Sequence, residues 1–341
     1  MLLNFSRRAL VAGTALAFAA GCSSNSLAPS QSSSVLPSSH RVGKNMRVLP
    51  GPALTGPIVV PAVPQKPNAP AGWPDRRRHH HRKRSILFVA DGSSGVLMYN
   101  PNTANGSPIG SITTGVNAPA GVAVDKNSAL YVTNEGNNTV TVYPKGQSSP
   151  SLTISSGIDG PYGIGVDSKG NVFVSNLNDN MITAYAAGST TPYETINFAA
   201  YGQAVGIGID ANDNVWVACD TTNAVFEIPA GSTQVQNAKL QDLSGPIGVS
   251  FGNADIIYVS NNGHSNVTVY TYGTTTPLET ITSGIEHYGP TLNGFTASDM
   301  FFQSNQGDNV VGYKNGATTP FSTLTGATSP LGIASEPLVT K

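Results

Sequence analysis

The chain has 341 residues, of which only 11% are charged, with a formal net charge of −1. Its 37 glycines, 24 prolines and 39% apolar residues exclude a coiled coil or helical bundle, which needs far more Ala, Leu, Glu, Lys and Arg. Its two cysteines exclude a disulfide framework and a four-cysteine zinc site.

Residues 1–22 read as an export signal. Arg7 and Arg8 form a positive n-region, and Ala9 to Ala20 is an apolar run too short to span a bilayer. The run ends in Ala19-Ala20-Gly21-Cys22, which resembles the lipobox of bacterial lipoproteins. That resemblance implies lipid attachment at Cys22 and a place in the cell envelope, with Ser23 compatible with the outer membrane. Ser6-Arg7-Arg8-Ala9-Leu10 also resembles, loosely, a twin-arginine export motif. The alternative is simple secretion, with cleavage after Ala17-Phe18-Ala19.

Residues 23–84 have no hydrophobic periodicity and carry ten prolines between Pro29 and Pro74. Such a segment is expected to be a disordered linker. It ends in the basic run Arg76-Arg77-Arg78-His79-His80-His81-Arg82-Lys83-Arg84. The run suits a solvated spacer, attraction to anionic lipid, or weak metal binding by its histidines.

From residue 85 to 341 the chain repeats itself. Leu87-Phe88-Val89-Ala90-Asp91 returns as Leu130-Tyr131-Val132-Thr133-Asn134, Val172-Phe173-Val174-Ser175-Asn176, Val215-Trp216-Val217-Ala218-Cys219 and Ile257-Tyr258-Val259-Ser260-Asn261. A sixth copy is read at Met300-Phe301-Phe302-Gln303-Ser304, which places the aromatic residue at 88, 131, 173, 216, 258 and 301. A period of 42 or 43 residues is a repeat architecture. Each unit supplies four short strand candidates; in the second these are residues 121–124, 130–133, 139–143 and 151–154. Alternating apolar positions and turns every eight to twelve residues favour antiparallel sheet. The expected fold is all-β: a six-bladed β-propeller of four-stranded antiparallel blades. The first copy lacks a leading strand, and Pro330-Leu331-Gly332-Ile333-Ala334 matches Pro119-Ala120-Gly121-Val122-Ala123. The C-terminal strand is therefore expected to complete the first blade and close the ring.

Tyr131-Val132-Thr133-Asn134 is identical to the signature of YVTN-type propeller repeats. Gly121-Val122-Ala123-Val124-Asp125 and Gly170-Asn171-Val172-Phe173-Val174 resemble NHL repeats and the blades of streptogramin-lyase-like proteins. The resemblance spans residues 85–341 and implies a fold, not one function, since such rings serve binding proteins, scaffolds, lactonases and lyases.

Asp125, Asp167 and Asp210 recur six residues before the aromatic, where a short carboxylate suits a hairpin turn. The stretch from Asp210 lacks the glycine and glutamate of a calcium loop, having Val215 and Thr221 there. Cys219 reads as a small buried apolar residue. In propellers of this kind, the loops entering the leading strands and those joining second to third strands share one face, around the channel mouth. The candidate ligand-binding residues on it are Tyr162, His264, Glu286, His287 and Tyr288. No catalytic residue, resident metal or cofactor is assigned. The sixth repeat reads as eroded, with Phe295 at the Asp position and Gln303-Ser304 in place of Ser/Thr-Asn.

Two functions compete. One is a non-enzymatic propeller on the envelope that binds a protein partner or small ligand through one face, as a monomer. The other is a metal-dependent lyase or lactonase-like hydrolase at the channel mouth, motivated by His264, Glu286 and His287. The charge is divided: residues 1–84 hold twelve Lys/Arg and one acid, whereas residues 85–341 hold six Lys/Arg and eighteen acids, a net of −12. Nucleic-acid binding by the ring is therefore disfavoured, and polyanion contact is expected on the linker.

Overall fold

A computed structural model describes residues 85–252, 256–286, 290–295, 299–305 and 308–336. The expected signal and linker segments, residues 1–84, lie outside the described residues. The ring has six sheets, each with four antiparallel strands. We name the strands of each blade inner, second, third and outer. The inner strands are Pro119–Val124, Pro161–Val166, Ala204–Ile209, Pro246–Phe251 and Pro290–Phe295 in blades 2 to 6. In blade 1 the inner strand is Pro330–Glu336, the last of the chain. It pairs with the blade's second strand Ile86–Asp91, Phe88 opposite Ala334. Each inner strand packs against the next, blade 6 returning to blade 1, so the ring is closed.

The seam between blades 1 and 6 carries a second latch. Asn105–Gly106, in the loop between the third and outer strands of blade 1, pairs in parallel with the outer strand Ser322–Leu324 of blade 6. The latch adds a fifth strand to that blade. Two residues with no apolar alternation gave no strand signal in the sequence.

The core lies between blades. Phe88, Met98 and Ile112 of blade 1 pack on Val122, Leu130 and Val132 of blade 2. Leu87, Val89 and Leu97 of blade 1 pack on Phe302, Val310 and Leu324 of blade 6. Alternate residues of a strand thus serve opposite neighbours, as the period of two requires. Trp216 is 4% exposed, between blades 4 and 5, where it packs against Phe251 and Tyr272 and donates Nε1–H to Asp210 Oδ2 at 3.2 Å.

The second strand of blade 6 is Phe301–Asn305. Its Asn305 pairs with Pro290 and its Phe302 with Gly294, as Asn134 pairs with Pro119 and Tyr131 with Ala123. The sixth repeat therefore keeps the second-strand motif, in a shifted register: its aromatic is Phe302 and Ser304-Asn305 is its Ser/Thr-Asn pair, while the position of Asp125 falls on Thr296. Two adjacent phenylalanines concealed the shift, and the register puts Phe295 opposite Phe301, at a strand position and not at the turn.

The repeated motif explains itself in atoms. In all six blades the pairing of inner with second strand is irregular near the start of the inner strand. In blade 2 the bulge frees Gly121 N–H, which donates to Thr133 Oγ1 at 2.6 Å. That hydroxyl donates onward to the carbonyl of Tyr162 in blade 3, at 2.9 Å. Ser175 repeats this, accepting from Gly163 N–H at 2.8 Å and donating to Val205 O of blade 4 at 2.6 Å. The strands approach so closely that a Cβ on Gly163 would lie 2.4 Å from Val205 O, and one on Gly332 would lie 2.6 Å from Ala120 O. Only glycine fits there.

Candidate functional site

We call the face holding the blade-to-blade connectors and the second-to-third loops the upper face, and the opposite one the lower face. Much of the polar chemistry of the upper face is structural. Asn134, fully buried, accepts from Asn117 N–H at 3.0 Å and donates to Thr141 Oγ1 at 3.0 Å. Thr141 contacts Tyr143 Oη at 3.1 Å, and Tyr143 O–H donates to Thr114 O at 2.8 Å. The same Asn–Thr–Tyr relay ties down the connector in blade 3 through Asn176, Thr183 and Tyr185, and in blade 5 through Asn261, Thr268 and Tyr270. In blade 4 all three positions are apolar: Cys219, Phe226 and Ile228. Phe226 instead meets Phe198 and Tyr201 edge to face. Burial, with Asp220 nearby, pushes the Cys219 thiol up to about 12, so it stays protonated and unreactive.

The hairpin turns between second and third strands carry left-handed residues, among them Asn138 (φ 54°), Asn180 (φ 54°) and Asn223 (φ 51°). Each Oδ1 accepts a backbone N–H from the following blade: Gly160 at 2.9 Å, Ala204 at 3.0 Å and Gly245 at 2.7 Å. Asparagine suits this site twice, by tolerating the conformation and by bridging blades. On the lower face, Asp125, Asp167 and Asp210 each accept two backbone N–H bonds across their hairpins, as expected of turn residues.

Of the sequence-derived candidates, His287 and Tyr288 lie outside the described residues. His264 is exposed at the tip of the blade 5 hairpin. Glu286 is half-buried, and its Oε1 accepts from Asn309 Nδ2 of blade 6 at 2.6 Å. Tyr162 is half-buried at the start of its inner strand, with its carbonyl taken by Thr133. Among the described residues no group of three His, Cys, Asp or Glu side chains is placed to hold a metal ion.

Two other residues on the upper face stand out. Asp220 and Asn262 each directly follow the last residue of the second-strand motif, in consecutive blades 4 and 5. The Oδ1 atom of each is buried and has no hydrogen-bond partner. Burial pushes the Asp220 carboxyl above its ordinary value, against backbone N–H donors that lower it. A buried acceptor without a donor is unusual and marks a place for a ligand, ion or water. Nothing in the sequence ranks either residue, because an orphaned oxygen is a property of packing. Behind the mouth, the six inner strands enclose a cavity of about 260 Å³, lined by Val124, Val166, Ile209, Phe251 and their neighbours.

No protein-family model matches the chain, and no curated protein sequence does. Solved structures share the fold. A chain of a nidogen–laminin complex aligns with a TM-score of 0.62 at 14% identity, over 75% of this chain and 100% of that one. A streptogramin B lyase aligns with a TM-score of 0.54 at 16% identity, over 73% of this chain and 91% of that one. A catalytically inactive virginiamycin B lyase from Staphylococcus aureus aligns at 0.50 and 12% identity, over 69% and 83%. At these identities the likeness is one of architecture: this chain is a six-bladed propeller of the form that such binding proteins and lyases share.

Proposed function

We propose that the protein is an exported propeller, anchored in the envelope through Cys22, that binds a partner or ligand at its upper face without chemical turnover. The observation that carries this reading is the pair of buried, donorless oxygens, Asp220 Oδ1 and Asn262 Oδ1, at one register position of neighbouring blades. Such a pair suits a ligand rich in N–H or O–H donors, cationic for preference, because a donor supplied by the ligand would relieve both atoms. The exposed acids of the same face, Glu135, Asp179, Asp242 and Asp308, would steer a cation toward it.

The competing reading is a metal-dependent lyase or lactonase-like hydrolase. The pairing of Glu286 Oε1 with Asn309 gives that carboxylate a structural role between blades that needs no metal. One set of experiments separates the two. Wild type and an Asp220→Ala/Asn262→Ala variant are immobilised and exposed to envelope extract, and each is assayed for lactone turnover with added divalent ions. Retention of a partner by wild type alone, without turnover, supports the binding reading. Metal-dependent turnover would overturn it.

A further inference from the structure

The blade interfaces repeat one plan, so one interface can show what another lacks. On the lower face between blades 1 and 2, Lys145 bridges the gap. Its Nζ lies 2.8 Å from Glu336 Oε1 of blade 1 and 3.2 Å from Ser128 Oγ of blade 2.

The interface of blades 3 and 4 keeps acceptors at both places and lacks the lysine. Asp167 of blade 3 stands where blade 1 has Glu336. Each follows the inner-strand residue, Val166 or Ser335, that pairs with the first residue of the motif. Asp213 of blade 4 stands where blade 2 has Ser128, with the same left-handed backbone (φ 65° and 64°). Ala230 stands where blade 2 has Lys145. Each lies between a proline and a glycine, in a turn closed by the same bond: Gln147 N–H to Pro144 O and Ser232 N–H to Pro229 O, both at 2.9 Å.

Beside Ala230 a cavity of about 150 Å³ opens between the two blades. Asp167, Asp213 and Glu194 line it, together with the apolar side chains of Phe173, Ile196 and Val215. The exposed Lys169 is the one cation among its lining residues. Asp167 is buried and Asp213 half-buried, yet both have acceptor capacity left. Asp167 Oδ2 accepts from Asn171 Nδ2 at 2.7 Å. Its counterpart in blade 4, Asp210 Oδ2, accepts from both Asn214 Nδ2 and Trp216 Nε1. Phe173, at the position of Trp216, has no such donor. Asp213 accepts from Ser168 N–H at 2.9 Å and from Ser168 Oγ–H at 2.6 Å. A carboxylate has about four acceptor sites, so each can take a further donor. The field in the cavity is negative as well. The phenol of Tyr193, which also lines it, is pushed up by burial and then by Asp167 and Glu194.

The other two interfaces with an aspartate at this place differ. Between blades 4 and 5, Tyr272 takes the place of Lys145 and packs on Trp216. Between blades 2 and 3, Gly170 replaces Asp213, and Tyr131 O–H reaches Asp125 at 3.5 Å.

We infer that the cavity between blades 3 and 4 binds a primary alkylammonium ion, free or on a lysine side chain, with its ammonium at Asp167 and Asp213 and its stem along Phe173, Ile196 and Val215. The ligand takes the place that Lys145 occupies one interface pair earlier in the ring. Charge-assisted bonds to two carboxylates hold the head, and the apolar wall suits an alkyl stem better than a hydrated metal ion. The site is separate from the upper mouth.

The test is saturation-transfer NMR on the full chain at neutral pH, where amines are protonated. n-Pentylamine is expected to bind and n-pentanol not. Blocked lysine methylamide binding as well as n-pentylamine assigns the site to lysine side chains; weaker binding assigns it to free amines. Ala230→Lys restores the lysine of blade 2, and should melt higher than wild type and lose amine binding. Asp213→Ser should weaken binding at least about tenfold. Lys169→Ala should leave it unchanged or tighten it. Asp220→Asn should leave it unchanged, so that this site and the upper-mouth reading can fail separately. Thermal melts check that each variant is folded. Absence of amine binding by wild type overturns the proposal, as does binding that survives Ala230→Lys and Asp213→Ser. Binding that appears only in Lys169→Ala also overturns it, since the chain's own lysine would then fill the cavity.

Discussion

The hydroxyl of Thr133 in blade 2 donates to the carbonyl of Tyr162 in blade 3, at 2.9 Å, while accepting from Gly121 N–H of its own blade. One side chain thus closes the bulge of one blade and joins it to the next. The repeated Ser/Thr of the motif is selected by this geometry, not by chemistry at the mouth. Thr133→Val keeps the shape and removes the hydroxyl. It is expected to cost about 1–3 kcal/mol, since a buried carbonyl and a buried N–H lose their partner. Blade 4 has Ala218 at this position, and Gly206, the counterpart of Gly121, approaches Ile247 O of blade 5. Ala218→Ser is expected to stabilise the ring by up to about 1 kcal/mol. Thermal melts of the two variants check both signs.

Closure of the ring depends on Asp91, which stands where every other blade except blade 4, with Cys219, has asparagine. Its Oδ2 accepts from Thr328 N–H at 2.6 Å and Ser329 N–H at 3.1 Å, and its Oδ1 accepts from Ser93 and Ser94 N–H at 3.0 Å. Burial alone would raise its pKa, but these donors outweigh burial and hold the carboxyl below its ordinary value. A depressed carboxylate contributes stability above its unfolded pKa and loses it as pH falls through the folded one. The seam should therefore loosen in acid below about pH 4. Asp91→Ala should remove that part of the acid sensitivity and lower stability at neutral pH by about 2–3 kcal/mol. Deleting residues 328–341 should destabilise the whole ring; unchanged melting would refute closure.

Buried tyrosines set the alkaline limit. Burial pushes Tyr99, Tyr131, Tyr258 and Tyr270 up to about 12. Their contribution is fully present below the unfolded value near 10 and is lost as pH rises toward 12. Phenolate absorbance should therefore rise in one cooperative step with unfolding, not residue by residue. Tyr143→Phe, which removes the clip onto Thr114, should lower stability by about 1 kcal/mol at neutral pH.

The architecture was legible in the sequence because it is written many times over. The period of the aromatic residue and the orphan C-terminal strand at Gly332 are enough to count blades and close the ring. The errors have local causes. Phe301-Phe302 offers two aromatics for one position, which hid a one-residue shift of register. The Asn105–Gly106 latch is too short to show a period. The mouth was harder still. Asn134, Asn138 and Asn180 look like ligand-binding polar residues until their partners are seen, and all are spent on the ring itself. Asp220 and Asn262 look ordinary until their Oδ1 atoms prove to have no donor. The net charge of −12 says nothing of where the charges lie, and among the described residues the structure sorts exposed lysines and exposed acids largely onto opposite faces.

The central claim is that the upper mouth is built for a donor-rich ligand at the cost of stability. Asp220 is the residue that tests it, because its raised pKa means that the folded ring disfavours its charge. Stability tied to a raised carboxyl pKa is present below the unfolded value and is lost as pH rises. Asp220→Asn should therefore melt higher than wild type at neutral pH, and the gap should close near pH 3. The direct measurement is a neutral-pH thermal-shift titration of both proteins with donor-rich cations, from polyamines to lysine- and arginine-containing peptides. The account predicts a ligand that raises the melting temperature of wild type and leaves that of Asp220→Asn unchanged. Equal shifts in the two proteins for every ligand tried, with Asp220→Asn no more stable than wild type when unliganded, would contradict it.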